Sequence, residues 1–170
     1  AEGKSIEDMW PVVTLMVGRL DDWMKAEAER TQLFIDPGHM EWAGVAAIKK
    51  AYQIFQERGF RSRVLSAAFR NVLQYSELVG GDLVVSPPFK WAKRINNSDY
   101  VAESRIDVPV DPKIIASLQR IEDFNRAYEE DGLSIEEFET FGPTRKTLRQ
   151  FLGADCDLDA LVRDFLIAPA

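Results

Sequence analysis

The chain has 170 residues, 46% of them hydrophobic and 29% charged, which suits one globular domain with a sizeable core. Its formal net charge of −7 argues against nucleic acid or an anionic membrane as the main partner, because phosphate groups on such partners are bound by basic surfaces. The lone Cys156 excludes an internal disulfide, and no apolar run reaches the roughly 20 residues of a membrane span. With an N-terminus unlike a signal peptide, the sequence predicts a cytoplasmic protein.

Three short segments are apolar without clean alternation. They are residues 11–17, 63–67 and 82–86. This pattern is typical of strands that are buried on both faces of a parallel sheet. Because three parallel strands alone make a poor core with two unpaired edges, we expect something else to complete the sheet.

Helical segments separate these strands. Asp36-Pro37-Gly38 predicts a turn, and the apolar residues after it recur at helical spacing until Arg58-Gly59 ends the run. Asn71 is a candidate cap for a second helix, which precedes the break at Gly80-Gly81. Strand, helix, strand, helix and strand give two right-handed crossovers in succession, so the sequence predicts an α/β fold.

The chain after Pro88 is loop-rich and then helical. A helix is predicted from Asp111-Pro112 to Asp131-Gly132, and Ser134 with Glu137 forms a capping box for a short helix that ends at Thr140. Further helices are predicted at residues 90–95, 143–152 and 158–166. Their apolar stripes are typical of core packing and indicate no function by themselves.

Polar residues follow the predicted strands at the end where parallel sheets usually bind ligands. Arg19 follows the first strand, and Ser66, Arg70 and Asn71 lie at the end of the second. Guanidinium groups suit phosphate or sulfonate, and a helix starting near Asn71 directs backbone N–H groups into the same space. The residues therefore predict an anion site, with Ser86 of the third strand at the same rim.

Other interpretations of the charged residues stay open. Arg19 and Arg70 are equally well explained as surface residues paired with carboxylates such as Asp21 and Asp22. These two aspartates are candidates for general acid or base groups, but the first turn of a helix, where the dipole favours carboxylates, explains them better. His39, the single histidine, has no second ligand at metal spacing, so no metal site is predicted.

Four motifs resemble the last three strands of the transaldolase family. They are VGRLDDW at residues 17–23, DPG at 36–38, SAAFRN at 66–71 and GDLVVSPP at 81–88. The resemblance covers about the first half of the chain. It implies a (β/α)₈ TIM-barrel enzyme that moves a dihydroxyacetone unit between sugar phosphates through a lysine Schiff base, without metal or organic cofactor.

The same resemblance assigns roles to individual residues. It implies that Arg19 and Arg70 hold the substrate phosphate, with Ser66 and Asn71 as supporting donors. The family's serine before Phe-Arg-Asn is replaced by Ala68, and Ser66, on the same strand face, is a candidate substitute. The family's Schiff-base lysine and its acid/base residues lie on strands upstream of Val12, so no catalytic residue is assigned in this chain.

The fold expected is therefore the C-terminal portion of a TIM barrel. Residues 1–95 would form the barrel segment with the anion site, and residues 96–170 a helical extension packing on it. The expected partners are a sugar phosphate and the remaining half of the barrel, on the same or a separate chain, and an oligomer is possible. The alternatives are a non-catalytic sugar-phosphate-binding or regulatory module paired with another chain, and a helical interaction domain built on residues 111–166.

Overall fold

A computed structural model of the protein describes residues 10–167, which form a small parallel sheet and the helices that connect and follow its strands. The strands are β1 (Val12–Leu15), β2 (Arg63–Ala67) and β3 (Val84–Ser86). The helices are α1 (Val17–Arg30), α2 (Pro37–Met40), α3 (Ala43–Glu57), α4 (Leu73–Ser76), α5 (Phe89–Asn96), α6 (Pro112–Leu118), α7 (Glu122–Tyr128) and α8 (Gly142–Leu166), with a 3-10 helix at Glu136–Glu139. The chain divides into two compact units, one ending at Gly132 and the other starting at Leu133.

The sheet has the order β1-β2-β3, and both pairs of strands are parallel. The α/β prediction is confirmed, and the second predicted strand has the bounds of β2. The first is shorter than predicted because Val17 already begins α1. The third is shorter because pairing with β2 starts only where Leu65 meets Val84.

The two faces of β2 differ in burial. Val64 and Ser66 are buried, whereas Leu65 and Ala67 are only partly buried. Since side chains alternate along a strand, Val64 and Ser66 share one face. Val64 belongs to an apolar cluster that includes Ile48 of α3, so this face is the one that the helices cover.

A second apolar cluster lies between the helices of the first unit. It includes Met24 of α1, Ala43 of α3, Leu118 of α6 and Phe124 of α7. Helices α6 and α7 therefore pack with α1 and α3, the helices that lie between β1 and β2 in the chain. The predicted division of the chain between residues 95 and 96 stays a prediction.

Several predicted helices differ from those observed. The helix after Asn71 is the single turn α4, and the helix predicted from Asp111 to Gly132 is divided into α6 and α7, because Ile121 between them has an extended backbone. The helices predicted at 143–152 and 158–166 are one helix, α8, in which Gly153 is tolerated at a cost of about 1 kcal/mol.

The capping box is confirmed. The backbone N–H of Ser134 donates to Glu137 Oε2 over 2.9 Å, and the N–H of Glu137 donates to Ser134 Oγ over 3.4 Å. Asp111 likewise caps α6 by accepting a hydrogen bond from the N–H of Lys113 over 2.8 Å. Within residues 10–167, none of the helices combines the length and the apolar character that crossing a membrane requires.

Candidate functional site at the carboxyl ends of β1 and β2

The start of α1 lies directly against the loop that follows β2. A Cβ atom placed on Gly18 would lie 1.9 Å from the carbonyl oxygen of Ala68 and 2.7 Å from Cγ of Arg70. Only glycine allows this approach. Ala68 itself has a φ of 62°, a left-handed conformation that is uncommon for a residue with a side chain. The Val-Gly-Arg and Phe-Arg-Asn motifs therefore meet at one end of two neighbouring parallel strands.

Arg70 is held over this junction by both a carboxylate and the backbone. Its Nε lies 2.8 Å from Asp22 Oδ2, and its Nη1 donates to the carbonyl oxygen of Ala68 over 2.8 Å. The pairing with a carboxylate that the sequence left open is thus present for Arg70. The side chain nevertheless keeps 39% of its surface exposed, so the guanidinium group is accessible from solvent. Arg19, in the first turn of α1, is partly buried.

Asn71 connects the loop to Glu41, the residue after α2. Its Nδ2 donates to Glu41 Oε2 over 2.8 Å and to the Glu41 carbonyl oxygen over 3.1 Å. Its Oδ1 accepts from the N–H of Gln74 over 3.3 Å, but the residue at the N-cap of α4 is Val72 and not Asn71 as predicted. Because α4 is a single turn, its dipole is far smaller than that of the predicted helix.

Ser66 lies deeper than the sequence suggested. Its side chain is fully buried on the helix-covered face of β2, and Oγ has no hydrogen-bond partner among residues 10–167. A buried hydroxyl without a partner is costly. Its proposed contact with an anion stays a prediction, as does the role of Ser86, which is exposed at the end of β3.

Asp21 was assigned to the first turn of a helix, and that prediction is wrong. The helix begins at Val17, so Asp21 lies in the second turn, where its side chain is fully buried. Oδ1 accepts from the N–H of Gly44 over 2.7 Å, and Oδ2 accepts from Gln74 Nε2 over 2.5 Å and from Asn71 Nδ2 over 3.3 Å.

Burial raises the pKa of the Asp21 carboxyl to about 7. The hydrogen bond from Gly44 and the charge of Lys25 lower this pKa, while the carboxylates of Glu41 and Asp22 raise it. The sequence carries a signal of this burial, because Asp21 falls on the apolar stripe of α1, beside Leu20 and Met24. An acid within such a stripe indicates a buried, hydrogen-bonded carboxyl group.

Two further polar residues are engaged within the protein. His39 Nδ1 lies 2.9 Å from Ser117 Oγ. Lys49 is buried in an ion pair with Glu77, a contact that sequence reasoning missed although Lys49 also falls on an apolar helix stripe. In the described part of the chain, no three His, Cys, Asp or Glu residues are grouped so as to hold a metal ion.

A parallel α/β sheet with an arginine-bearing loop at the carboxyl ends of its strands is a common frame for enzymes that act on phosphorylated substrates. The family model described as transaldolase/fructose-6-phosphate aldolase matches residues 9–142. This chain belongs to that family, and the resemblance seen in the four motifs is confirmed.

Similar curated proteins carry the same family name. A transaldolase of Prochlorococcus marinus subsp. pastoris is 31% identical over 112 residues, which are 60% of this chain and 32% of the relative. One from Pseudoalteromonas atlantica is 32% identical over 96 residues, covering 56% and 28%. One from Buchnera aphidicola is 29% identical over 126 residues, covering 74% and 38%. The chain thus spans about a third of the length of these relatives.

Proposed function

We propose that this chain is the phosphate-binding part of a transaldolase-like enzyme, which moves a dihydroxyacetone unit between sugar phosphates. Arg19 and Arg70 contact the substrate phosphate, and Ser66 and Asn71 support them. The observation that carries this proposal is the close packing of Gly18 on Ala68 and Arg70, which joins two arginine-bearing motifs that are distant in sequence. Family membership supplies the class of reaction.

The exposed ion pair between Arg70 and Asp22 leaves the arginine able to bind an anion. Its partner Asp22 has 40% of its side chain exposed, and an ion pair so open to water contributes at most about 1 kcal/mol. A phosphate, with more negative charge and oxygens that match the guanidinium fork, competes well with such a partner. Asp22 and the Ala68 carbonyl oxygen meanwhile keep the arginine extended over the rim. Asn71 acts indirectly, by fixing the loop to Glu41.

The chemistry is supplied by strands of a (β/α)₈ barrel other than β1, β2 and β3. In the described sheet β1 and β3 are edge strands, and Val12, Val13 and Val85 are exposed there. Further parallel strands on these edges would bury those valines and close the barrel. A Schiff-base lysine on one of them would then face the sugar whose phosphate Arg70 holds.

Replacement of Arg70 tests the binding role. In calorimetric titration with fructose 6-phosphate, we expect Arg70→Ala to weaken affinity about 10- to 100-fold, the effect of losing hydrogen bonds to a charged group. Arg63→Ala is a matched control, because Arg63 stands at the opposite end of β2 in a similar exposed ion pair, with Nε 3.1 Å from Asp82 Oδ1. Equal affinity of Arg70→Ala and the wild type would refute the assignment.

A second experiment tests where the chemistry occurs. The purified protein is incubated with fructose 6-phosphate, reduced with borohydride, and analysed by intact mass. We expect a dihydroxyacetone adduct on a lysine of the remaining part of the barrel, outside these 170 residues. An adduct on any lysine of the 170 residues would contradict the proposal. The absence of any adduct, with sugar phosphate still bound, would favour the non-catalytic binding module.

A further inference from the structure

We infer that Asp21 is a positioning residue for Arg70: its buried carboxyl group sets the backbone of the loop after β2, and through it the place of the guanidinium group at the rim. For the phosphate ligand, this inference rests on the proposed function. The position of the loop can be measured without any ligand. The positioning role of Asp21 and the binding of phosphate can therefore be tested separately.

Gln74 connects the carboxyl group of Asp21 to Arg70. This glutamine side chain is fully buried. Its Nε2 donates to Asp21 Oδ2 over 2.5 Å, and its Oε1 accepts from the backbone N–H of Arg70, also over 2.5 Å. The amide can serve both contacts in only one orientation, with nitrogen towards the carboxyl group and oxygen towards the backbone. Asp21, which accepts there, selects that orientation.

The other contacts of Asp21 fix it in turn. Oδ1 accepts from the N–H of Gly44 in the first turn of α3, over 2.7 Å. Oδ2 also receives Asn71 Nδ2 over 3.3 Å. A Cβ atom on Gly44 would lie 2.4 Å from the carbonyl oxygen of Val17, so α1 and α3 are in close contact at this point. The carboxyl group therefore joins α1, α3 and the Arg70 loop, and all three of its contacts are donors.

The loop needs such support because its local conformation is unfavourable. Ala68 has a φ of 62°, which costs an alanine on the order of 1 kcal/mol. Local preferences thus favour another path for the chain between β2 and α4. The hydrogen bonds that Gln74 and Asn71 make to Asp21 oppose that change, so loss of the acceptor is expected to release the Arg70 backbone.

A charge-exchange set of variants tests the inference. Asp21→Asn must turn its N–H₂ group towards another donor, either Gln74 Nε2 or the N–H of Gly44, and Gln74→Glu places two carboxyl groups together. The double variant Asp21→Asn/Gln74→Glu restores donor to acceptor, and the carboxylate introduced at position 74 still accepts from the Arg70 N–H. Glu29→Gln, which makes the same chemical change on the exposed surface of α1, is the control.

Two measurements are made on each variant. The first is hydrogen exchange of the Arg70 backbone amide, with the Phe124 amide in α7 as an internal reference. The second is the affinity for fructose 6-phosphate. We expect each single variant to speed exchange at Arg70 and to weaken affinity about tenfold, leaving exchange at Phe124 unchanged. We expect the double variant to regain both within about threefold, and Glu29→Gln to change neither.

Each outcome supports or overturns the positioning role of Asp21. Unchanged exchange at Arg70 in Asp21→Asn, or a double variant as impaired as the single ones, would overturn the inference. If a single variant does not fold, recovery of folding and of Arg70 protection in the double variant supports it, and failure of the double variant overturns it. If the exchange results are as expected but the wild type binds no fructose 6-phosphate, the positioning role stands and the proposed function fails.

Discussion

Lys49 and Glu77 form an ion pair with less than a tenth of either side chain exposed, and Lys49 Nζ lies 2.9 Å from Glu77 Oε2. The ammonium group also donates to the carbonyl oxygens of Arg105 and Val108, over 2.8 Å each. Arg105 Nε lies 2.9 Å from the other oxygen of Glu77. The pair thus links α3, the residue after α4 and the segment around Val108.

Removal of one partner from this pair is expected to be costly. We expect Lys49→Met to lower the free energy of unfolding by about 3–5 kcal/mol, because Glu77 stays buried with only Arg105 to compensate it. Urea unfolding followed by circular dichroism measures the change. Lys50→Met, at the neighbouring partly buried lysine, is the control and should shift stability by no more than about 0.5 kcal/mol. If Lys49→Met and Lys50→Met lower the free energy of unfolding by similar amounts, the buried pair does not stabilise the protein.

The stability of the protein is expected to depend on the protonation of Asp21. Its pKa is raised from 3.8 to about 7 by burial, so the folded protein holds a proton between about pH 4 and pH 7 that the unfolded chain releases. The stabilisation that the protonated Asp21 provides is therefore complete below about pH 4. It is lost as pH rises through the folded-state pKa of about 7, by up to about 4 kcal/mol in total.

Asp21→Asn cannot titrate and isolates this effect. The unfolding free energy of the wild type minus that of Asp21→Asn should decrease from about pH 4 to pH 7 and then level off. Lys25, Glu41 and Asp22, the charged groups that face Asp21, are present in both proteins. A difference that is constant, or that increases with pH, would show that the folded-state pKa of Asp21 is not raised.

Glycine-to-alanine substitutions at two helical positions should have opposite effects. Gly18→Ala places Cβ 1.9 Å from the Ala68 carbonyl oxygen, and we expect it to lower stability by about 1–3 kcal/mol or more. At Gly153 a Cβ atom would meet no atom within 4 Å, and alanine there should stabilise α8 by up to about 1 kcal/mol. Thermal unfolding followed by circular dichroism tests both, and harmless replacement of Gly18 would contradict the close packing.

Serine at position 68 should strengthen binding of the sugar phosphate. The transaldolase resemblance places a phosphate-binding serine where this chain has Ala68, next to the Arg70 loop. We expect Ala68→Ser to raise the affinity for fructose 6-phosphate about tenfold, through one added hydrogen bond to a charged group. Ala67→Ser, one residue earlier in β2, is the control. An equal gain at both positions, or none at either, would argue against this location of the phosphate.

Local patterns predicted much of the fold. The apolar run at residues 63–67 is β2, Arg58-Gly59 marks the end of α3, and the Ser134–Glu137 capping box forms as expected. Each depends on residues that are neighbours in sequence, so a short window holds the information. The extended backbone at Ile121 and the continuity of α8 through Gly153 were missed, because local preferences alone do not decide whether a helix is interrupted.

The site was harder to predict because its contacts are long-range. The sequence placed Arg70 at the correct end of β2, but its pairing with Asp22 rather than another carboxylate depends on how α1 packs against β2. The burial of Asp21 depends on Gly44 and Gln74, which lie far from it in sequence. The apolar stripe of α1 indicates that Asp21 has hydrogen-bond partners within the protein. It does not reveal that these partners are Gly44 and Gln74.

Helix α8 lengthens the chain by 25 residues but contains no buried residue. Denaturant m-values and the heat-capacity change of unfolding scale with the surface that folding removes from water. Contacts within the unit that starts at Leu133 therefore contribute little to either quantity, and most of the m-value should come from the unit that ends at Gly132.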